Sequence, residues 1–182
     1  MKTAADTTDA SGYPLGFRVS PERARSNLVT SRSGKDVFQV EARAMKSLQK
    51  EAVVTEGAQG AAWRMVSDEG AALKGTDLAP FPLGFFNVGM QADLLNRLET
   101  CSVPMGVQLD SLDLELENFY GFSGSFFKGT GQGAAENPLL RIKIRSPNSG
   151  TDIDALVRAA LRASPAMAAV RTALKNTFAL IR

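Results

Sequence analysis

The sequence holds no histidine and a single cysteine, Cys101, in 182 residues. The missing histidine removes Ser-His-Asp triads, Cys-His dyads, histidine general bases and histidine-ligated zinc or iron from what the chain can do by itself. One thiol removes a two-cysteine redox cycle and any disulfide framework, and it suits a reducing cytoplasm. Net charge is scarce too, +2 from 21 basic and 19 acidic residues. That leaves no electrostatic footprint for nucleic acid or a membrane surface. No apolar run approaches the ~20 residues of a membrane span, and residues 1–12 are too polar for a secretory signal.

What is present suits one globular domain, with 44% apolar and 22% charged residues. Residues 1–27 read as an N-terminal arm and 28–182 as a single domain. In the arm Tyr13, Leu15, Phe17 and Val19 alternate, as a short strand or an arm laid over a partner would, and residues 21–26 suit a short helical turn.

The chain is organised around residues 75–98. Gly75-Thr76-Asp77 reads as a tight turn, and Pro80 and Pro82, which lack backbone donors, belong before or at a first helical turn. From Phe85 to Leu98 apolar side chains point every way, which predicts a helix buried on most sides. Four polar residues interrupt it. Asn87 and Gln91 are four apart, as are Asp93 and Arg97, so each pair can touch on one face, as a surface stripe with an ion pair or as a polar strip facing a pocket.

Before this helix, alternation over 36–46, the run Ala52-Val53-Val54 within 50–56, and Trp63 and Met65 on one side of 61–67 predict three strands, with turn residues between them and an antiparallel meander as their simplest assembly. After it, Val103-Pro104 ends the helix and opens a strand. Leu112, Leu114 and Leu116 point one way, and Asp113, Glu115 and Glu117 the other. Residues 121–137 form a Gly-rich loop or hairpin without the context of a phosphate loop. Residues 138–146 return as a strand whose Arg141, Lys143 and Arg145 can pair with the acidic face. Thr151 caps a helix through Leu161, Ser164 caps a second one begun by Pro165 and running to about Leu174, and residues 177–181 make a last short strand. Strands, a long helix, strands and two short helices make an α+β fold.

This order and its local words resemble the OsmC/Ohr family of hydroperoxide-detoxifying proteins, over roughly residues 36–182. The words are Gly75-Thr76-Asp77 followed by Pro82 and the apolar helix, and Leu161-Arg-Ala-Ser-Pro165, similar to the family's Cys-Pro step between two short helices. The resemblance implies an OsmC-like fold in which antiparallel sheets wrap a long central helix, and an intertwined homodimer with active sites at the subunit boundary. Counting from Gly89 puts Asp93 at the family's reactive cysteine. Ser164 stands at its second cysteine and Leu83 at its glutamate. Its arginine matches Arg43, Lys46 or Lys50. Peroxide reduction needs an attacking and a resolving thiol, so this chain does not run that cycle.

The resemblance implies instead that Asp93 and Ser164 face each other in an apolar pocket. There Asp93 suits a general base and Ser164, beside backbone N–H groups, an oxyanion donor. Asn87, Gln91 and Tyr120 would orient a small apolar or aromatic molecule against Phe86 and Met90. The expected function is a lyase or hydrolase with no cofactor and no metal, of which retro-aldol cleavage is one form. The alternatives are a non-catalytic protein binding a hydrophobic ligand, and a stress-response relative using Cys101. Plainer roles stand beside these. Asp93 then only pairs with Arg97, Ser164 only caps its helix, and Asn87 and Gln91 bond across a twin helix.

Overall fold

The computed structural model describes residues 17–19, 38–56, 61–172, 174 and 178–180. They divide into two compact units, Met1–Gly84 and Phe85–Arg182.

In the first unit the alternating segments pair as a four-stranded antiparallel sheet. β1 (Phe17–Val19), β2 (Phe38–Ala44), β3 (Lys50–Glu56) and β4 (Ala61–Ser67) stand in the order β1-β4-β3-β2. The expected meander is there, and Phe17–Val19 adds a strand to its edge. The rest of the N-terminal arm, including Tyr13, Leu15 and the turn near residue 21, lies outside the described residues. Register puts Val40, Val54 and Trp63 on one face and Glu41, Val53 and Arg64 on the other, because side chains alternate along a strand.

Beyond β4 the chain folds around one carboxylate. Asp68 is buried. Its Oδ2 accepts hydrogen bonds from the Thr76 hydroxyl at 2.5 Å, the Leu78 amide at 3.1 Å and the Thr76 amide at 3.2 Å, and its Oδ1 accepts from the Glu69 amide at 2.7 Å. Gln49 donates to the Thr76 oxygen from the other side. The Thr76 hydroxyl first, and the amides with it, hold the Asp68 carboxyl at about 2 against the opposing pull of burial. The Gly-Thr-Asp word is therefore the wrapping of Asp68. Gly75 is required there, since a Cβ would stand 1.8 Å from the Glu69 carbonyl oxygen.

The second unit is built on α1 (Pro82–Met105), which begins at Pro82 as expected. Two features differ from the sequence reading. The helix passes Val103 and includes Pro104, because a proline one residue from the end removes a single hydrogen bond. It stops at Gly106, whose φ of +66° closes the end. There the Val107 amide bonds the Ser102 carbonyl and the Gly106 amide the Val103 carbonyl. The helix is also buried along one stripe only, Met90, Leu94, Leu98 and Ser102, while Phe86, Val88 and Val103 stay exposed.

That stripe joins Leu156, Ala160 and Met167 in the core. β5 (Ser111–Glu117) and β8 (Leu139–Arg145) pair antiparallel and add Leu112, Leu114, Leu116, Ile142 and Ile144 to it. Their outer faces carry the expected charge pairs, Arg141 with Glu117 and Lys143 with Glu115. The Gly-rich stretch is a hairpin of β6 (Tyr120–Ser123) and β7 (Gln132–Ala135), with Phe122 and Phe126 stacked at 4.0 Å.

α2 (Gly150–Ala163) is capped by Ser149, whose hydroxyl accepts from the Asp152 amide, and not by Thr151. The helix starts one residue before Thr151, which places that threonine inside the first turn. α3 (Pro165–Arg171) opens on Ser164 and Pro165 as expected and stops at Thr172, which turns extended, three residues short of the expected end. Phe178–Leu180 pair with no strand among the described residues, unlike the short strand expected there; Thr177 and Ile181 lie outside the described residues. Among the described residues no helix is long and apolar enough to cross a membrane.

Two outcomes follow from the Asp68 turn. Gly75→Ala forces its new methyl against backbone and should lower stability by about 2–4 kcal/mol, read as a drop in urea midpoint. Gly70→Ala, with nothing within 4 Å of the new carbon, should change it little. The second outcome concerns acid. A carboxyl held at about 2 when folded and about 3.9 when unfolded contributes stability that is complete above the higher value and lost as pH falls through the lower one. The melting temperature should therefore drop between pH 4 and pH 2, and Asp68→Asn should start lower at pH 7 and show a shallower drop over that window.

Candidate functional site

The helix stripe that buries Leu94 turns its neighbour Asp93 toward the junction of α2 and α3. There Asp93 Oδ2 accepts from the Ser164 hydroxyl at 2.5 Å and from the Ala166 amide at 3.2 Å. Ser164 Oγ in turn accepts from the Met167 amide at 3.0 Å, so one hydroxyl caps α3 and ties that helix to α1. The first turn of a helix favours a carboxylate, and hydrogen bonds to a charged acceptor are the short ones. Ser164 is 1% exposed. The Asp93 side chain is 22% exposed, and its other oxygen meets Arg97 Nη2 at 3.4 Å. Arg97 Nε is buried and has no hydrogen-bond partner among the described residues.

A second polar group forms higher on α1. Asn87 Oδ1 accepts from Asn118 Nδ2 at 2.7 Å and from the Tyr120 hydroxyl at 2.9 Å. Asn87 thus bonds to residues from the end of β5 and the start of β6 rather than to Gln91. Six residues separate Asn87 from Asp93, about 9 Å along the axis and about 120° around it. Gln91 shares the Asn87 side. Among the described residues no hydrogen bond joins the two groups.

The remaining expected site residues are dispersed. Met90 is a core residue, 3% exposed and in one cluster with Leu94. Phe86 is 47% exposed. Arg43, Lys46 and Lys50 all lie in the first unit, Arg43 paired with Glu51 and Lys50 donating to the Leu48 carbonyl. Cys101 is half-buried and packs against the α1 core. Sequence reasoning missed Asn118, because an Asn at a strand end carries no periodic signal. The backbone N–H groups expected beside Ser164 are represented by the Ala166 amide, since the first turn of any helix has unpaired donors. Among the described residues no group of three or more Cys, Asp or Glu is placed to hold a metal ion.

Several solved structures share this fold. An OsmC-like hydroperoxide resistance protein from Jannaschia is 19% identical, with 81% of this chain and 93% of that one aligned at a TM-score of 0.54. An OsmC-like protein from Mycoplasma pneumoniae is 17% identical over 77% of this chain and 89% of its own, at 0.59. A Vibrio cholerae protein assigned to organic hydroperoxide resistance, solved with captopril in one of its active sites, is 18% identical over 77% and 89%, at 0.53. No family model matches the chain, and no curated protein matches it in sequence.

The Ser164 hydroxyl is tested by removal. Ser164→Ala takes away a helix cap and one of the donors to Asp93. It should cost about 1–3 kcal/mol, measured as a shift in urea midpoint at unchanged slope.

Proposed function

We propose, starting from the OsmC-like fold this chain shares with those proteins, that it is a homodimeric binding protein for a small apolar or aromatic molecule, without thiol peroxidase chemistry. One observation carries the reading. Asp93 and Ser164, which stand where the resemblance places the two cysteines, use their polar atoms on each other and on α3. The Ser164 hydroxyl donates to Asp93 and accepts from Met167, at 1% exposure. A nucleophile or oxyanion donor needs a free, reachable hydroxyl, and this one holds two helices together.

The apolar surface supports the assembly and the ligand class. Phe86, Val88 and Val103 on α1, and Phe38, Val40 and Trp63 on the sheet, are large apolar side chains left exposed within one chain. Exposed apolar area on this scale marks a surface that another molecule covers. The captopril in the Vibrio cholerae protein shows that an active site in a protein of this fold admits a small organic molecule, and the same use of the fold is proposed here.

A second reading is the cofactor-free lyase or hydrolase with Asp93 as general base. It draws on Asp93 Oδ1, whose one contact among the described residues is that to Arg97 at 3.4 Å and which belongs to a side chain that is 22% exposed. That oxygen retains acceptor capacity for a substrate proton.

The readings separate by experiment. Native mass spectrometry of the purified protein should give a dimer carrying a small apolar molecule, and solvent extraction should return it unchanged after incubation at 37 °C. Asp93→Asn should hold that molecule within about threefold of the native affinity, since a carboxamide oxygen still accepts from Ser164. Consumption of the molecule by the native protein and its persistence with Asp93→Asn would establish the lyase or hydrolase instead.

A further inference from the structure

The first unit carries a hollow of about 460 Å³ lined by Val19, Glu41, Ala42, Arg43, Glu51, Val53 and Arg64. Its floor and walls follow from strand register. Glu41 stands opposite Val53, and Val53 opposite Arg64. Three neighbouring strands therefore present, side by side on one face, an acid, a valine and a guanidinium. Strands lie about 4.8 Å apart, so the backbones carrying the two charges are about 10 Å apart across an apolar floor.

The other two charges already have each other. Glu51 takes Arg43 on one carboxylate oxygen and Arg64 on the other, and its side chain is only 14% exposed. Arg64 first and Arg43 second hold the Glu51 carboxyl below the usual range, so it stays charged between them. Two guanidiniums around one carboxylate leave one positive charge over. Each guanidinium has five N–H donors. Arg64 spends one on Glu51, from Nε, and its guanidinium makes no other hydrogen bond among the described residues; the same side chain lines the hollow. Glu41, half-buried on the far wall, supplies the opposite sign. An anion alone would be repelled by Glu41, and a cation alone by Arg64 and Arg43.

We propose that this hollow binds a small zwitterion of the ω-amino acid class. Its carboxylate lies on Arg64, its ammonium on Glu41, and its methylene chain on Val53 and Val19. The pairing is charge-assisted at both ends, and the spacing between the charges sets the specificity. The site uses residues of the first unit alone, none of which enters the binding reading built on Asp93, so the two stand or fall separately.

The test is calorimetric titration of the full chain with 5-aminopentanoate, and with pentanoate and pentylammonium, which each lack one charge. 5-Aminopentanoate should bind at least about tenfold more tightly than either. Glu41→Gln should bring it down to the level of pentanoate, and Arg64→Gln to that of pentylammonium. Arg141→Gln, on β8, should change nothing. If Arg64→Gln loses its cooperative melt along with Glu51's partner, Glu41→Gln decides, since Glu41 is outside that ion-pair cluster. Absence of heat with all three probes overturns the site. So does equal binding of pentanoate and 5-aminopentanoate, or a Glu41→Gln variant that binds as the native chain does.

Discussion

Burial of Leu94 and Leu98 sets the second unit. Both side chains are fully enclosed, with Leu156 and Ala160 from α2 in the same cluster, and each such burial stabilises by roughly 1.5–3 kcal/mol. With these two leucines seated, rotation of α1 about its axis is no longer free. Every other side chain on the helix takes its direction from them. Asp93, one residue before Leu94, is swung about 100° away and meets the α2–α3 junction. Asn87 emerges on another side and meets Asn118 and Tyr120. The polar contacts of the unit are consequences of an apolar stripe.

The same polar device occurs twice. In the first unit Asp68 takes the hydroxyl of Thr76 at 2.5 Å together with nearby amides. In the second Asp93 takes the hydroxyl of Ser164 at 2.5 Å together with the Ala166 amide. In each case a carboxylate gathers donors that a turn or a helix start would otherwise leave unpaired. Asp68 fastens a loop to the end of β4, and Asp93 fastens one helix to another. Their reach differs, since eight residues separate the partners in one and 71 in the other. The second therefore closes a long stretch of chain, whereas the first shapes a local turn.

Much of the fold was legible because the periods are clean. Alternation placed β2, β4 and the inward leucines of β5, the run Ala52-Val53-Val54 placed β3, and Ser164-Pro165 marked the start of α3. The misreadings have local physical causes. Pro104 looked like a terminus, yet a proline near a helix end removes only one bond, and Gly106 makes the stop. Ser149 and Thr151 are both capping residues, and which one caps is decided by where the backbone first turns helical. Residues 178–180 alternate well enough for a strand, but a strand also needs an edge to pair with, and that is not written locally. The apolar stretch of α1 predicted burial on most sides; one chain covers only the Met90–Leu98 stripe, because hydrophobicity says that a face will be covered and not by what. Spacing alone joined Asp93 to Arg97. Its bond to Ser164 spans the length of the unit and entered only through the resemblance.

The Ser164–Asp93 contact joins the two places where the resemblance sets sulfur. A thiol pair makes a junction that opens and shuts with the supply of electrons. An alcohol bonded to a carboxylate has no such second state, so α1 and α3 remain fastened in reducing and oxidising surroundings alike.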